Sequence, residues 1–101
     1  MSNRIALPWK RTAIGGKYYA TWHAVKQYRH NGQDYRIQGV IEKRWDNTGL
    51  HFNWTVEVHG GNLSIHGTTV GSGIERGSTA KLEAVKESAS IAVTDYFAGK
   101  S

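Results

Sequence analysis

Residues Trp22 to Val58 read WHAVKQYRHNGQDYRIQGVIEKRWDNTGLHFNWTVEV. Two turn signals divide this stretch into three segments of alternating polarity, and the predicted fold depends on them. Asn31-Gly32 is the dipeptide most typical of a two-residue type I′ hairpin, in which both central residues need positive φ. If these two residues form the loop, the register of the hairpin follows, and Tyr28 faces Tyr35. The stretch therefore predicts an antiparallel sheet.

The predicted register can be tested by asking whether the apolar side chains share one face of the hairpin. They do, and that face carries Trp22, Ala24, Tyr28, Tyr35, Ile37 and Ile41. The other face carries Thr21, His23, Gln27, Arg29, Asp34, Arg36, Gln38 and Glu42, with Val25 and Val40 as exceptions. One face is thus predicted to be buried and the other to be wet.

Two further turns extend the sheet. The loop 46–49 sets Trp45 opposite Leu50, and residues 51–59 then alternate as a half-buried strand does. Gly60-Gly61 predicts a third, two-residue turn, which places Leu63 opposite Val58 and Gly67 opposite Trp54. The segment Gly71–Gly77 (GSGIERG) has the composition of a flexible loop.

Apolar residues recur every three or four positions near the end of the chain, which predicts a helix over Thr79–Phe97 with Ser78 or Thr79 as its cap and Gly99 as its stop. The fold prediction is α+β: a four-stranded antiparallel β-meander with one face covered by this single C-terminal helix. A chain of 101 residues forms one domain. Residues 1–17 are an arm or edge strand, 18–70 the sheet and 78–97 the helix.

Composition excludes several classes of protein. The chain has no cysteine, which removes disulfides, thiolate metal sites and cysteine nucleophiles. No apolar run is long enough to span a membrane, and the first ten residues show no secretory signal, so we expect a cytoplasmic protein without membrane contacts.

The net charge of +5 is unevenly distributed. Residues 1–45 contain nine basic and two acidic residues, a net charge of +7, whereas residues 46–101 contain four basic and six acidic residues, a net charge of −2. A concentrated positive charge is typical of proteins that bind nucleic acid. The basic half coincides with the first two predicted strands.

The wet face is rich in Arg, Gln, Asn, Ser and Thr, the side chains that hold phosphates or read base edges. The leading functional hypothesis is therefore a small non-enzymatic protein that binds DNA or RNA through this face. Its candidate contact residues are Arg29, Arg36, Arg44, Lys10, Arg11 and Lys17. Three carboxylates expected on the same face, those of Asp34, Glu42 and Glu57, would oppose a phosphate.

A second hypothesis is a protein-interaction module. Trp9, Trp45 and Tyr19 are predicted near edges or turns, where an aromatic ring can stack on a base or anchor a protein partner. The size and charge also suit an inhibitor or accessory protein of the kind that phages encode, which docks onto a larger host complex. Pairing through an edge strand would give a homodimer.

Catalysis has little support in the sequence. We find no catalytic motif, and we expect neither a cofactor nor a metal, because the histidines of the wet face fall on different strands and no two are neighbours. A phosphate contact at Gly73, Arg76, Gly77 and Ser78, ahead of the helix, is a weaker alternative.

Overall fold

The computed structural model describes residues 4–15, 19–47, 49–60, 67–76 and 81–99. The strands and the helix of these ranges are β1 (Lys10–Gly15), β2 (Tyr19–His30), β3 (Gln33–Asp46), β4 (Gly49–Gly60), β5 (Thr68–Arg76) and α1 (Leu82–Ala98). The five strands form one open antiparallel sheet in the order β1-β2-β3-β4-β5. The α+β meander is confirmed, with one strand more than predicted.

The two hairpins of the central stretch have the predicted register. Asn31 and Gly32 have φ of 51° and 79°, as a type I′ turn requires, and Tyr28 pairs with Tyr35. Trp45 pairs with Leu50, although the strands continue to Asp46 and Gly49, so that the loop is shorter than predicted. Turn chemistry and alternation together were sufficient to align β2, β3 and β4.

The prediction for the last strand is wrong. β5 begins at Thr68, which takes the place opposite Val58 that was predicted for Leu63, and Trp54 faces Gly73 rather than Gly67. Leu63 itself lies outside the described residues. The predicted flexible loop is also wrong up to Arg76, because Gly71 to Arg76 belong to β5.

The glycines of β5 have a packing reason. A Cβ atom at Gly71 would lie 2.6 Å from the Cβ atom of Ala92 on α1, and one at Gly73 would lie 2.6 Å from the indole nitrogen of Trp54. A glycine in a strand often marks such a close approach. The composition of a loop therefore results here from crowding beneath a helix and a tryptophan.

The N-terminal region forms both of the predicted alternatives. Lys10–Gly15 is an edge strand, with a bulge between Arg11 and Ala13. The preceding residues 4–9, which we call the arm, cross the sheet on the side of α1. Ile5 is buried in the core and Trp9 packs on Gly39, where a Cβ atom would lie 2.5 Å from the indole.

The core lies between α1, the arm and one face of the sheet. Its fully buried side chains are Ile37, Ile41, Val56, Val58, Val85 and Val93. The helix packs mainly on β4 and β5. The helix begins at Leu82 after an extended Lys81, so the start predicted at Thr79 is wrong. The predicted cap residues Ser78 and Thr79 lie outside the described residues. The predicted stop at Gly99 is confirmed. In the described ranges, no helix is long and apolar enough to cross a membrane.

Candidate nucleic-acid interface

The side of the sheet turned away from α1, which we call the open face, is polar across all five strands. Directly paired residues of an antiparallel sheet share a face, so the register assigns its members. By register, its charged residues in the described ranges are Lys10, Arg29, Arg36, Arg44, Arg76, Asp34, Glu42, Asp46 and Glu57. Five basic residues against four acidic ones leave an excess of one positive charge.

Two of these carboxylates form ion pairs with arginines on the open face. Asp34 accepts a hydrogen bond of 3.1 Å from Arg29, and Glu42 pairs with Arg44. The Nε2 atom of His59 lies 3.1 Å from Glu57, but a histidine offsets the charge of a carboxylate only when it is protonated. Asp34 and Glu42 therefore oppose an approaching phosphate less than isolated carboxylates would.

Two bases of the open face, Lys10 and Arg36, contact no carboxylate in the described part of the chain. Each lies in a surface cleft. Arg36 lines a cleft of about 270 Å³ together with Gln27, His59 and Asp34, whose carboxylate is paired with Arg29. Lys10 lines one of about 350 Å³ together with Thr12 and His23. Both clefts thus combine an uncompensated cation with hydrogen-bonding side chains.

The register also gives the separation of the two cations. Lys10 is opposite His23, and Arg36 is opposite Gln27, four residues further along β2. Four residues of strand and two strand spacings place their Cα atoms about 16 Å apart. Long side chains at that separation can reach phosphates on both sides of a groove about 12 Å wide, the width of the major groove of B-DNA.

The structure divides the six predicted contact residues. Lys10, Arg29, Arg36 and Arg44 lie on the open face. Arg11 does not, because it pairs with Trp22 on the side of α1 and its guanidinium carbon lies 5.9 Å from the centre of the indole. Lys17 lies outside the described residues.

Arg76 is a member of the open face that the sequence assigned to a loop. It ends β5 opposite His51, which is only 7% exposed although it lies on the open face. His51 is also opposite Arg44 on β3, so two arginines flank it. Correct placement of β5 was needed to find this arrangement. The weaker alternative, a phosphate contact ahead of the helix, involved four residues. Gly73 and Arg76 belong to β5, and Gly77 and Ser78 lie outside the described residues.

The aromatic candidates have different surroundings. Trp9 is half-buried against Gly39 and belongs to the rim of the core. Trp45 is 51% exposed near the end of β3, on the side of α1. Tyr19 starts β2 opposite Gly15. The rings of Trp9 and Trp45 therefore lie on the side of α1 and do not form a stacking platform on the open face.

His23, His51 and His59 lie on the open face, as the register predicts, and His66 lies outside the described residues. His23 approaches Thr12, and His59 lies opposite Arg36. Among the residues that the structure describes, no group of three or more His, Asp or Glu side chains could hold a metal ion.

Comparison with known proteins adds no relative: no family model, no curated protein and no solved structure matches the chain.

Proposed function

We propose that this protein binds nucleic acid through the open face and that Lys10 and Arg36 contact phosphates. The observation that carries the proposal is the charge arrangement of this face. Asp34 and Glu42 are paired with arginines, while two cations in separate clefts form no ion pair in the described ranges. Such cations are available to replace the counterions of a phosphate backbone.

The polar side chains near the two clefts suit a hydrated interface. Gln27 and Gln38 can donate to and accept from base edges, and such contacts are often mediated by water. Only Val25 and Ile74 are large apolar side chains more than half exposed on this face in the described ranges. The separation of Lys10 and Arg36 favours duplex DNA among the forms of nucleic acid.

The test is fluorescence anisotropy with a labelled duplex and a labelled single strand of the same sequence, from ~50 mM salt upward, since phosphate contacts are strongest at low salt. We expect the affinity to fall steeply with salt. In the double variant K10Q/R36Q, the slope of log affinity against log salt should decrease by about one unit for each lost contact.

A charge-matched control distinguishes contact from net charge. The variant K81Q/K86Q removes two positive charges from the helix, on the other side of the sheet, and should leave the slope almost unchanged. Equal effects of the two double variants would contradict the open face as the binding surface. Absence of binding to both nucleic acids at ~50 mM salt would contradict the function itself.

A second candidate function, a protein-docking module or inhibitor, is favoured by one observation. The indole of Trp45 is half-exposed, and tryptophan is among the residues that most often anchor protein interfaces. This function predicts that a single partner protein is recovered after nuclease treatment and lost in the variant Trp45→Ala.

A further inference from the structure

The two edges of the sheet differ in how they resist pairing with another strand. At β1, Pro8 precedes the strand, Lys10 and Arg11 place charges on both faces, and a bulge follows Arg11. These features are known to protect an edge strand from further pairing. A second copy of the chain would also meet like charges here.

The edge at β5 has fewer of these features. It has one irregularity, where Val56 and Glu57 of β4 pair with Gly71 and Thr69, it contains no proline, and its only charged residues are Glu75 and Arg76 at its end. Ile74 is 54% exposed on the open face. An edge that is neutral from Thr68 to Ile74 and carries an exposed β-branched side chain is an available template for another strand.

We infer that β5 pairs antiparallel with β5 of a second copy of this chain, so that two sheets become one across a two-fold axis. Of the two edges, β5 is the one that adjoins the acidic half of the chain and lies furthest from Lys10 and Arg11. Two copies can therefore approach through β5 without bringing their basic strands together.

The register of this contact follows from the faces of the strands. Only residues of the same face can be directly opposite, so the axis passes through a residue of β5 that faces itself. An axis at Ile74 sets the two exposed isoleucines opposite each other and places Ser72 opposite Arg76 of the second copy. An axis at Ser72 or Gly73 does not pair the isoleucines, which are the largest exposed apolar side chains of this edge.

The paired segment, residues 72–76, contains Glu75 and Arg76, which lie opposite Gly73 and Ser72 of the second copy and so meet no like charge directly. Because the segment is short, the association is weak and depends on concentration. Disulfide trapping suits such a contact, because the chain has no cysteine of its own. Directly opposed Cβ atoms lie about 4.5 to 5.5 Å apart, close to the spacing that a disulfide needs. The variant Ile74→Cys should therefore form a covalent dimer in a thiol–disulfide buffer.

The variant Val25→Cys is the matched control, since Val25 is equally exposed, at 54%, on the same face but on the inner strand β2. We expect Ile74→Cys to dimerise at least tenfold faster. A mixture of Ser72→Cys and Arg76→Cys should form the mixed disulfide faster than either variant forms its own.

Light scattering on the unmodified chain tests the same contact without a disulfide. The weight-average mass should rise with protein concentration, and Ile74→Asp should abolish the rise because it places two carboxylates opposite each other. Val25→Asp should not. Equal cross-linking rates of Ile74→Cys and Val25→Cys would overturn the inference, and so would a constant monomer mass up to millimolar concentration. If Ser72→Cys cross-linked with itself faster than Ile74→Cys does, the proposed axis at Ile74 would be wrong.

Discussion

The side of the sheet that faces α1 is covered by two elements of different kind. The helix covers β4 and β5 with a continuous apolar row, in which Val85, Ala89 and Val93 are completely buried. The arm crosses to β3 with an irregular segment, in which Leu7 and Trp9 remain partly exposed. A single helix is narrower than five strands, so the remaining apolar surface needs a second cover. We therefore expect the helix to contribute more than the arm to the free energy of unfolding.

The largest loss of stability is expected from a substitution in α1. Phe97 is 2% exposed, and its ring lies 4.6 Å from that of Tyr28 and 5.2 Å from that of Tyr35, measured between centroids. Phe97→Ala removes these contacts and leaves a cavity, so the free energy of unfolding should fall by about 3 to 5 kcal/mol. Urea denaturation measures this loss. Ile91→Ala, on the outer side of the same helix, should cost less than about 1 kcal/mol.

The arm should contribute less than the helix to the free energy of unfolding. Substitutions at the contact between Trp9 and Gly39 measure its contribution. Trp9→Ala should lower the free energy of unfolding by about 2 kcal/mol, roughly half the value for a fully buried tryptophan. Gly39→Ala should cost about 1 to 3 kcal/mol, because the new methyl group displaces the indole.

The two substitutions should not be additive. Once Trp9→Ala has removed the indole, Gly39→Ala should become almost neutral, because it then replaces only a strand glycine by alanine. A double-mutant cycle gives the coupling free energy. Additive losses would show that the arm does not rest on β3.

A smaller effect is expected where the arm is tied to the helix. The Ile5 backbone N–H donates to Thr94 Oγ1 at 2.9 Å, and Ser90 Oγ donates to the Ile5 carbonyl at 2.6 Å. Thr94→Val keeps the shape of the side chain and removes one acceptor, so it should cost about 1 kcal/mol. Ser88→Ala serves as the control, since that hydroxyl donates only within the helix, to the Ala84 carbonyl. Equal losses of stability in both variants would argue against a specific contribution from the hydrogen bonds between the arm and α1.

The smallest effect should come from the ion pair between Arg4 and Glu87, whose side chains are about half exposed. Exposed ion pairs contribute about 0 to 1 kcal/mol, and salt screens them. Arg4→Gln should therefore reduce stability slightly at low salt and have no effect at 1 M salt. A loss that persists at high salt would indicate that Arg4 acts through packing of its aliphatic stem.

The sequence predicted the register of β2, β3 and β4 because local turns determine it. Asn31-Gly32 fixes one register, the loop before Gly49 fixes the next, and a slip at either turn would have inverted the apolar pattern. The open face and the placement of Arg29, Arg36 and Arg44 followed directly. Function is not fixed by this register, and the binding role stays a prediction.

What the sequence did not predict depends on contacts between distant residues. Gly71 and Gly73 resemble a flexible loop until Ala92 and Trp54 are placed over them. The tie between Ile5 and Thr94 joins positions 89 residues apart, which no local pattern reveals. Neighbouring strand residues point to opposite faces, so Lys10 and Arg11 are divided in any register, but their assignment to the open face and the α1 side depends on the bulge after Arg11.

The tie between the arm and α1 has a consequence for the order in which the molecule assembles. The hairpins of β2, β3 and β4 join neighbours in the chain and can form early, whereas Ile5 has no partner until Ser90 and Thr94 have docked with the helix. The arm is therefore the last piece to dock and the first to leave. Its release would uncover Gly39 and Ile41 while the rest of the sheet stays paired, so the amide hydrogen of Ile5 should exchange with solvent through small openings well before the amides of β3 do.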